Sequence, residues 1–236
     1  MENFIVKIKE QSNINGIMLD DKQIKMFYEY MNLLVDWNEK MNLTAITEEN
    51  EVILKHFIDS IVISSLIEDK SKIIDVGTGA GFPGIPLKIH NHTLEVTLLD
   101  SLNKRIQFLN CVIENLGLEK IITVHSRVED FAKNSRESFD IAVSRAVARL
   151  NILVEYMLPL VKVGGKCICM KANDMEKEIE EAKKAIKVLG GKIEKVEEIT
   201  LANTDIKRTI IIIRKEKSTP KAYPRKAGMA SKNPII

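Results

Sequence analysis

Lys72-Ile73-Ile74-Asp75-Val76-Gly77-Thr78-Gly79-Ala80-Gly81-Phe82-Pro83-Gly84 decides the fold of this 236-residue chain. A short apolar strand runs directly into a loop with four glycines. Pro83 and Pro86 fit only the first turn of a following helix, for which Ile85, Leu87 and Ile89 supply apolar content. Strand, glycine loop and helix in that order place backbone N–H groups around a ligand at the carboxyl edge of a sheet, and glycine lets that ligand approach the backbone. A structural turn alone has little need of four glycines.

Downstream, residues 94–99 read as a second strand followed by Asp100. Residues 103–116 read as a helix with Ile106, Leu109 and Ile113 at helical spacing. Residues 121–124, 139–143 and 166–170 are further strands, with a helix over 150–160 between the last two and a tight turn at Val163-Gly164-Gly165-Lys166. Residues 174–189 form a charged helix whose buried stripe is Met175, Ile179, Ala182, Ile186 and Leu189. Strands at 192–199 and 209–213 follow with no helix between them, which predicts a hairpin with the last strand antiparallel. The alternation predicts an α/β, doubly wound, mostly parallel seven-stranded sheet covered on both faces.

Upstream, residues 1–66 read as a helical segment. Asp20 and Gln23 form a capping box, and Ile24, Phe27, Tyr28, Met31, Leu34 and Val35 recur at helical spacing. Residues 37–44 end that period and read as a connector. Thr47 then caps a helix carrying Val52, Ile53, Phe57, Ile61 and Leu66, which sets His56 and Asp59 near each other across one turn. The organisation expected is therefore a helical segment at 1–66, a core at 67–216 and a basic tail at 217–236.

With 45% hydrophobic and 29% charged residues, the composition is that of a soluble globular protein. Three cysteines make neither a disulfide framework nor a four-thiolate zinc site, and Cys167 and Cys169 share one face of a strand as apolar residues. His90 and His92 form HxH without further ligands, so no metal is expected. No apolar run spans a membrane, and a cytoplasmic setting is expected. The net charge of +2 is unevenly spread: residues 214–236 hold seven basic side chains against Glu216, leaving the preceding 213 residues at −4. A basic end of this kind gathers a polyanion or is simply solvated.

Two cofactor readings stay open on local sequence. Gly79 to Gly84 matches GxGxxG and invites a dinucleotide, hence an NAD-dependent oxidoreductase. The longer phrase, with Asp75 two residues before Gly77, suits an amine or a sulfonium-bearing amino acid, or a carboxylate that holds the loop itself. Asp100 matches a ribose under either reading. Arg145, in Ser144-Arg145-Ala146 at the end of the fourth strand, is a surface arginine or a fork for a bound anion.

The stretches 37–46 (WNEKMNLTAI), 56–60 (HFIDS), 75–89 (DVGTGAGFPGIPLKI), 98–109 (LLDSLNKRIQFL), 126–131 (SRVEDF), 139–148 (FDIAVSRAVA) and 223–234 (YPRKAGMASKNP) together resemble the 16S rRNA guanine-N7 methyltransferases, the glucose-inhibited division protein B family within the class I S-adenosylmethionine-dependent methyltransferases. The resemblance covers nearly the whole chain and implies a Rossmann-like fold and methylation of a guanine N7 in the 530 loop of 16S rRNA. It implies S-adenosylmethionine contacts at Gly77, Gly79, Phe82, Asp100, Val128, Glu129 and Arg145, and Asp75 is expected among the cofactor-binding residues, fixing the glycine loop or the cofactor's amine. Such a reaction requires no general base, because guanine N7 carries a free lone pair. The absence of the Asn/Asp-Pro-Pro-Tyr/Phe arrangement of amine methylation and of a Pro-Cys nucleophile agrees with an acceptor of that kind. Arg145 then acts by positioning, its fork orienting the methionine carboxylate or holding an RNA phosphate and guanine O6. RNA contacts are expected from Lys104, Arg105, Arg127, Arg149, Lys221, Tyr223, Arg225, Lys226 and Lys232. The expected partner is 16S rRNA, an assembly intermediate or the 30S subunit, met by a monomer. The tail departs from the family pattern at Ala227, where a proline is usual, and at Met229-Ala230, in place of Leu-Pro. The glycine loop by itself also admits a small-molecule methyltransferase, against which the basic tail argues, and a noncatalytic RNA-binding protein built on the same sheet.

Overall fold

A computed structural model describes residues 1–172 and 175–236. The helical segment comprises α1 (Glu2–Ile14), α2 (Asp21–Met41), α3 (Glu49–Val52), a π-helical stretch Ile53–Ile58 and α4 (Asp59–Ile61). There follow β1 (Lys72–Val76), α5 (Gly84–His90), β2 (Glu95–Asp100), α6 (Asn103–Leu116), β3 (Ile121–His125), α7 (Val128–Asn134), β4 (Phe139–Arg145), α8 (Leu150–Met157), β5 (Val161–Lys171), α9 (Glu176–Val188), β6 (Gly191–Thr200), β7 (Lys207–Lys215) and α10 (Met229–Lys232).

The strands form one sheet in the order β3-β2-β1-β4-β5-β7-β6. β1 to β5 are parallel, and β7 lies antiparallel between β5 and β6. The order reverses between β1 and β4, so the loops after these two strands diverge and leave a crevice at their carboxyl ends. Both faces are covered. Ile210 and Ile212 of β7 join Ile73, Leu98, Val143 and Ile168 under the N-terminal helices, α5 and α6. Ile211 and Ile213 join Ile74, Ala142, Cys167 and Cys169 under α8 and α9. Two-sided burial is why these strands read as continuous apolar runs.

Four local expectations are corrected. The stretch 37–44 is not a connector from its start: α2 continues through Met41, and Trp37 packs at a tilt against Phe108 of α6 with ring centroids 5.7 Å apart. Thr47 is not a cap; Glu48 is, its carboxylate accepting the Glu51 N–H at 2.9 Å. Gly164-Gly165 is not a turn before a strand but extra backbone within β5, whose register on β4 slips between Val161 and Lys166. The charged helix begins at Glu176, while Asp174, its expected start, lies outside the described residues.

The C-terminal segment lies against the body. Lys215 is fully buried, its ammonium donating to the Leu158 carbonyl at 2.5 Å and to Thr219 Oγ1 at 2.7 Å. Arg136 donates to the carbonyls of Thr219 and Tyr223. One of the seven basic residues counted at this end is thus internal.

Candidate active site

The loop after β1 is shaped from below by Asp75, which is completely buried. Its Oδ2 accepts the Thr78 hydroxyl at 2.6 Å and the Gly84 N–H at 2.8 Å, tying the two ends of the glycine segment together. Burial pushes the carboxyl up to about 6, against the pull of those two hydrogen bonds and of Arg145. Oδ1 has no hydrogen-bond partner among the described residues. From above, Tyr30 of α2 donates its buried hydroxyl to the Ala80 carbonyl, so the N-terminal helices brace the loop directly. Two glycines answer to different demands. A Cβ on Gly84 would stand 2.4 Å from Leu98 Cδ2, so only glycine lets α5 start this close to β2. Gly79 has φ +64° and open space where its Cβ would go, which leaves backbone facing the crevice.

Two cavities adjoin here. The larger, about 730 Å³, is walled by the glycine loop, Phe82, Arg105, Arg145 and Arg208, and by Thr44, Lys55, His56 and Asp59 of the N-terminal segment. The smaller, about 240 Å³, is walled by Leu99, Arg127, Val128, Glu129, Tyr156, Gly228 and Ser231. Gly77, Asp100, Ser101 and Val147 belong to both. Asp100 is oriented by the Gly79 N–H at 3.0 Å and Arg105 Nη1 at 3.1 Å on Oδ2, and by the Leu102 N–H at 2.9 Å on Oδ1. A carboxylate has about four acceptor sites, so hydroxyls arriving here compete with Arg105.

At the far wall, Asp59 is 1% exposed and faces two arginines. Arg145 Nη1 lies 2.8 Å from its Oδ2, and Arg208 Nε lies 2.8 Å from its Oδ1. Arg145 also donates to the Lys55 carbonyl at 3.0 Å and stands 5.0 Å from the Phe82 ring centroid. The His56 ring stacks on Phe82, with centroids 4.4 Å apart and planes 18° apart. Burial, then the positive charge of Arg145, lowers the His56 imidazole to about 4, so it is neutral near pH 7. Its Nε2 pairs with Thr44 Oγ1 at 2.9 Å. The result is a pair of stacked, largely buried rings beside two arginines whose charge is partly balanced by one carboxylate.

Of the residues singled out in the sequence, Gly77, Gly79, Phe82, Asp100, Arg105 and Arg145 line the larger cavity, and Arg127, Val128 and Glu129 the smaller. Asp75 lies beneath the loop and lines neither. Lys104 Nζ donates to the Met41 carbonyl at 3.0 Å, and Arg149 pairs with Glu181 at 2.6 Å. Tyr223 packs against the face under α8, and Arg225 is forked onto Glu155. Lys221, Lys226 and Lys232 are exposed and make no ion pair among the described residues. Sequence reasoning passed over Arg208, Tyr30 and Glu155. Only Glu155 left a signal, as a lone charge on the apolar helix Leu150–Met157. Among the described residues no three His, Cys, Asp or Glu side chains group so as to hold a metal ion, and no helix is long and apolar enough to cross a membrane.

Comparison with known proteins bears on the fold and the family. TYW2 from M. jannaschii, solved in complex with AdoMet, superposes at a TM-score of 0.56 over 72% of this chain and 77% of that one; at 15% identity this is a likeness of fold. A ribosomal RNA small subunit methyltransferase G from Acetivibrio thermocellus is 56% identical over 223 residues, covering 93% of this chain and 92% of the relative. Its namesake from Alkaliphilus metalliredigens is 52% identical over 224 residues, covering 93% and 94%. The family profile described as GidB, rRNA small subunit methyltransferase G, matches residues 23–210. With its class I methyltransferase sheet and a crevice at the switch point, the chain belongs to the rRNA small subunit methyltransferase G family.

Proposed function

We propose that this protein transfers a methyl group from S-adenosylmethionine to N7 of a guanine in the 530 loop of 16S rRNA. Family membership supports the reaction, and one structural observation supports its location: two cavities meet at Gly77 and Asp100, one nucleoside-sized, the other ending on Phe82, His56 and Arg145. The residues present fit the cofactor. Asp100 offers acceptors to ribose hydroxyls, Val128 an apolar wall to adenine, and Gly79 a bare backbone to the amino-acid end. The cofactor supplies an electrophilic methyl group on a sulfonium, which the in-plane lone pair of guanine N7 takes without a general base.

The chain's task is then placement and electrostatics. Phe82 and His56 give the cavity wall an aromatic edge against which a purine can pack, and Arg145 brings fixed N–H donors toward its O6 or a neighbouring phosphate. Positive charge moves onto the purine as the methyl crosses, so nearby uncompensated cations oppose the reaction. Asp59 answers this by pairing with both Arg145 and Arg208, and His56 answers it by remaining neutral. Asp75 acts through the loop it ties. The exposed Lys221, Lys226 and Lys232, with Arg127 at the rim, serve the RNA backbone. The protein acts as a cytoplasmic monomer on the rRNA or a subunit particle. The test is incubation with methyl-labelled S-adenosylmethionine and unmethylated 16S rRNA, free and as 30S subunits, with the label mapped by nuclease digestion and mass spectrometry. One N7-methylguanine in the 530 loop is expected; cofactor binding without transfer to either RNA form would sink the assignment and bring small-molecule acceptors forward.

A further inference from the structure

The C-terminal segment reaches the smaller cavity. Gly228 and Ser231 form part of its wall opposite Val128 and Glu129. The Gly228 N–H donates to Glu129 Oε1 at 2.9 Å, and Glu129 is only 5% exposed. Three residues earlier, Arg225 is clamped to the body. Its backbone N–H and Nε each reach Glu155 Oε1 at 2.9 Å, its Nη2 reaches Oε2 at 2.6 Å, and its Nη1 reaches the Asn233 carbonyl at 2.8 Å. Glu155 is 1% exposed. A buried carboxylate facing a bidentate guanidinium is a costly pair to open. The next residue of α8, Tyr156, lines the same cavity and brings its hydroxyl to 3.4 Å from Ser231 Oγ. The segment is therefore held on both sides of the cavity by side chains of the core, and the arginine that sequence charge assigns to RNA is turned inward.

We propose that residues 223–232 are a strap forming the outer wall of the nucleoside pocket, so that filling this pocket and docking the strap stabilise one another. The inference rests on reading the smaller cavity as the nucleoside end of the cofactor site. A ligand that binds the docked form and not the undocked one shifts the docking equilibrium toward itself, and docking raises its affinity by the same factor. Lys226 and Lys232 ride on the outer side of this segment, so an occupied pocket also fixes two cations at its rim. Arg225 and Glu155 line neither cavity, so an effect of Arg225 on ligand affinity travels through the strap.

The experiment uses the full chain and S-adenosylhomocysteine as the probe, with calorimetry for affinity and amide hydrogen exchange for the strap. Saturating probe should slow exchange across residues 223–232 at least fivefold. Arg225→Ala and Glu155→Gln should each weaken probe binding about tenfold while retaining a cooperative thermal transition. Ser231→Phe, a change at an exposed position on the wall, should weaken binding without loss of fold. Unchanged affinity in Arg225→Ala and Ser231→Phe, together with exchange across the strap indifferent to probe, would overturn the strap alone. Failure of the wild-type protein to bind the probe would overturn the cofactor reading and the strap with it.

Discussion

Arg145, the last residue of β4, and Asp59, the first residue of α4, meet at 2.8 Å, and through this pair the N-terminal helices complete the far wall of the crevice. The sheet alone would present Arg145 as a free cation above the switch point. The helical segment supplies its counter-charge, the Lys55 carbonyl that takes a second N–H, and the histidine stacked on Phe82.

Arg145→Lys should test the fork separately from the charge. Lysine keeps the positive end, and its one nitrogen can serve Asp59 and the Lys55 carbonyl as Arg145 Nη1 does, but it lacks the second nitrogen, Nη2, that the guanidinium holds ready for substrate. One hydrogen bond from a charged donor to substrate, worth about 1.5 kcal/mol or more, is then lost, equivalent to about a tenfold fall in kcat/KM. The measurement is initial rate at limiting 30S subunits. A rate equal to that of the unaltered protein would remove the positioning role.

His56 and Asp75 should leave opposed marks on stability between about pH 4 and pH 6. His56 has a folded pKa near 4, below its unfolded value. The unfolded state binds the extra proton, so this contribution is present above pH 6.5 and is lost as pH falls toward 4. Asp75 is raised to about 6, so the folded state binds the extra proton; its contribution is present below about pH 4 and is lost as pH rises through 6. Each is worth about 3 kcal/mol on these values, and in the shared window they offset one another. His56→Asn removes one side of the balance. The difference between variant and wild-type urea stability should then grow as pH rises from 4 to 6, and a flat difference would show that His56 titrates normally.

Much of the fold was legible because it depends on local pattern. The run 72–76 into glycines, the apolar strands and the hairpin after Gly191 are consequences of spacing and composition. The wall of the site was less legible, since Arg208 pairs with Asp59 across 149 residues of sequence and Tyr30 reaches Ala80 across 50. Such contacts exist only once the helices are laid over the sheet. Charge misled at the C-terminus for the same reason: Lys215 and Arg225 count as solvated cations until Thr219 and Glu155 are seen beside them. The π-helical stretch Ile53–Ile58 shifts the register just where His56 and Asp59 must both face the crevice, and no periodicity rule signals such a shift.

Two alanine substitutions in the glycine segment should separate binding from folding. Gly79→Ala meets no atom within 4 Å but forces a left-handed backbone on alanine, costing about 1 kcal/mol. Its methyl group occupies the crevice, so cofactor affinity should fall more than tenfold. Gly84→Ala places a Cβ 2.4 Å from Leu98 Cδ2 and 2.9 Å from Asp75 Oδ2. Overpacking of this kind costs about 1–3 kcal/mol and displaces the N–H that Asp75 accepts. Urea midpoints and calorimetry on both variants check the contrast; equal stability losses would show that Gly79 is not open to the crevice.

Arg105 and Asp100 provide the sharpest contrast between a charge that holds a site and one that only visits it. The Arg105 side chain is 36% exposed, while that of Asp100 is 2% exposed. A half-solvated ion pair contributes about 1 kcal/mol at most. Its guanidinium occupies the same Oδ2 that steadies Gly79, so ribose hydroxyls and Arg105 compete for one oxygen. Arg105→Ala should therefore leave cofactor affinity within about fivefold, since the pair it breaks is worth no more than that. Asp100→Asn keeps the size of the side chain but removes its charge and half its acceptors, and should weaken binding at least tenfold. Calorimetry at low and high salt distinguishes the two residues further, because the solvated arginine is screened and the buried carboxylate is not. If Arg105→Ala weakened the cofactor as much as Asp100→Asn, the arginine would belong to the bound state and the competition argued from the shared oxygen would be wrong.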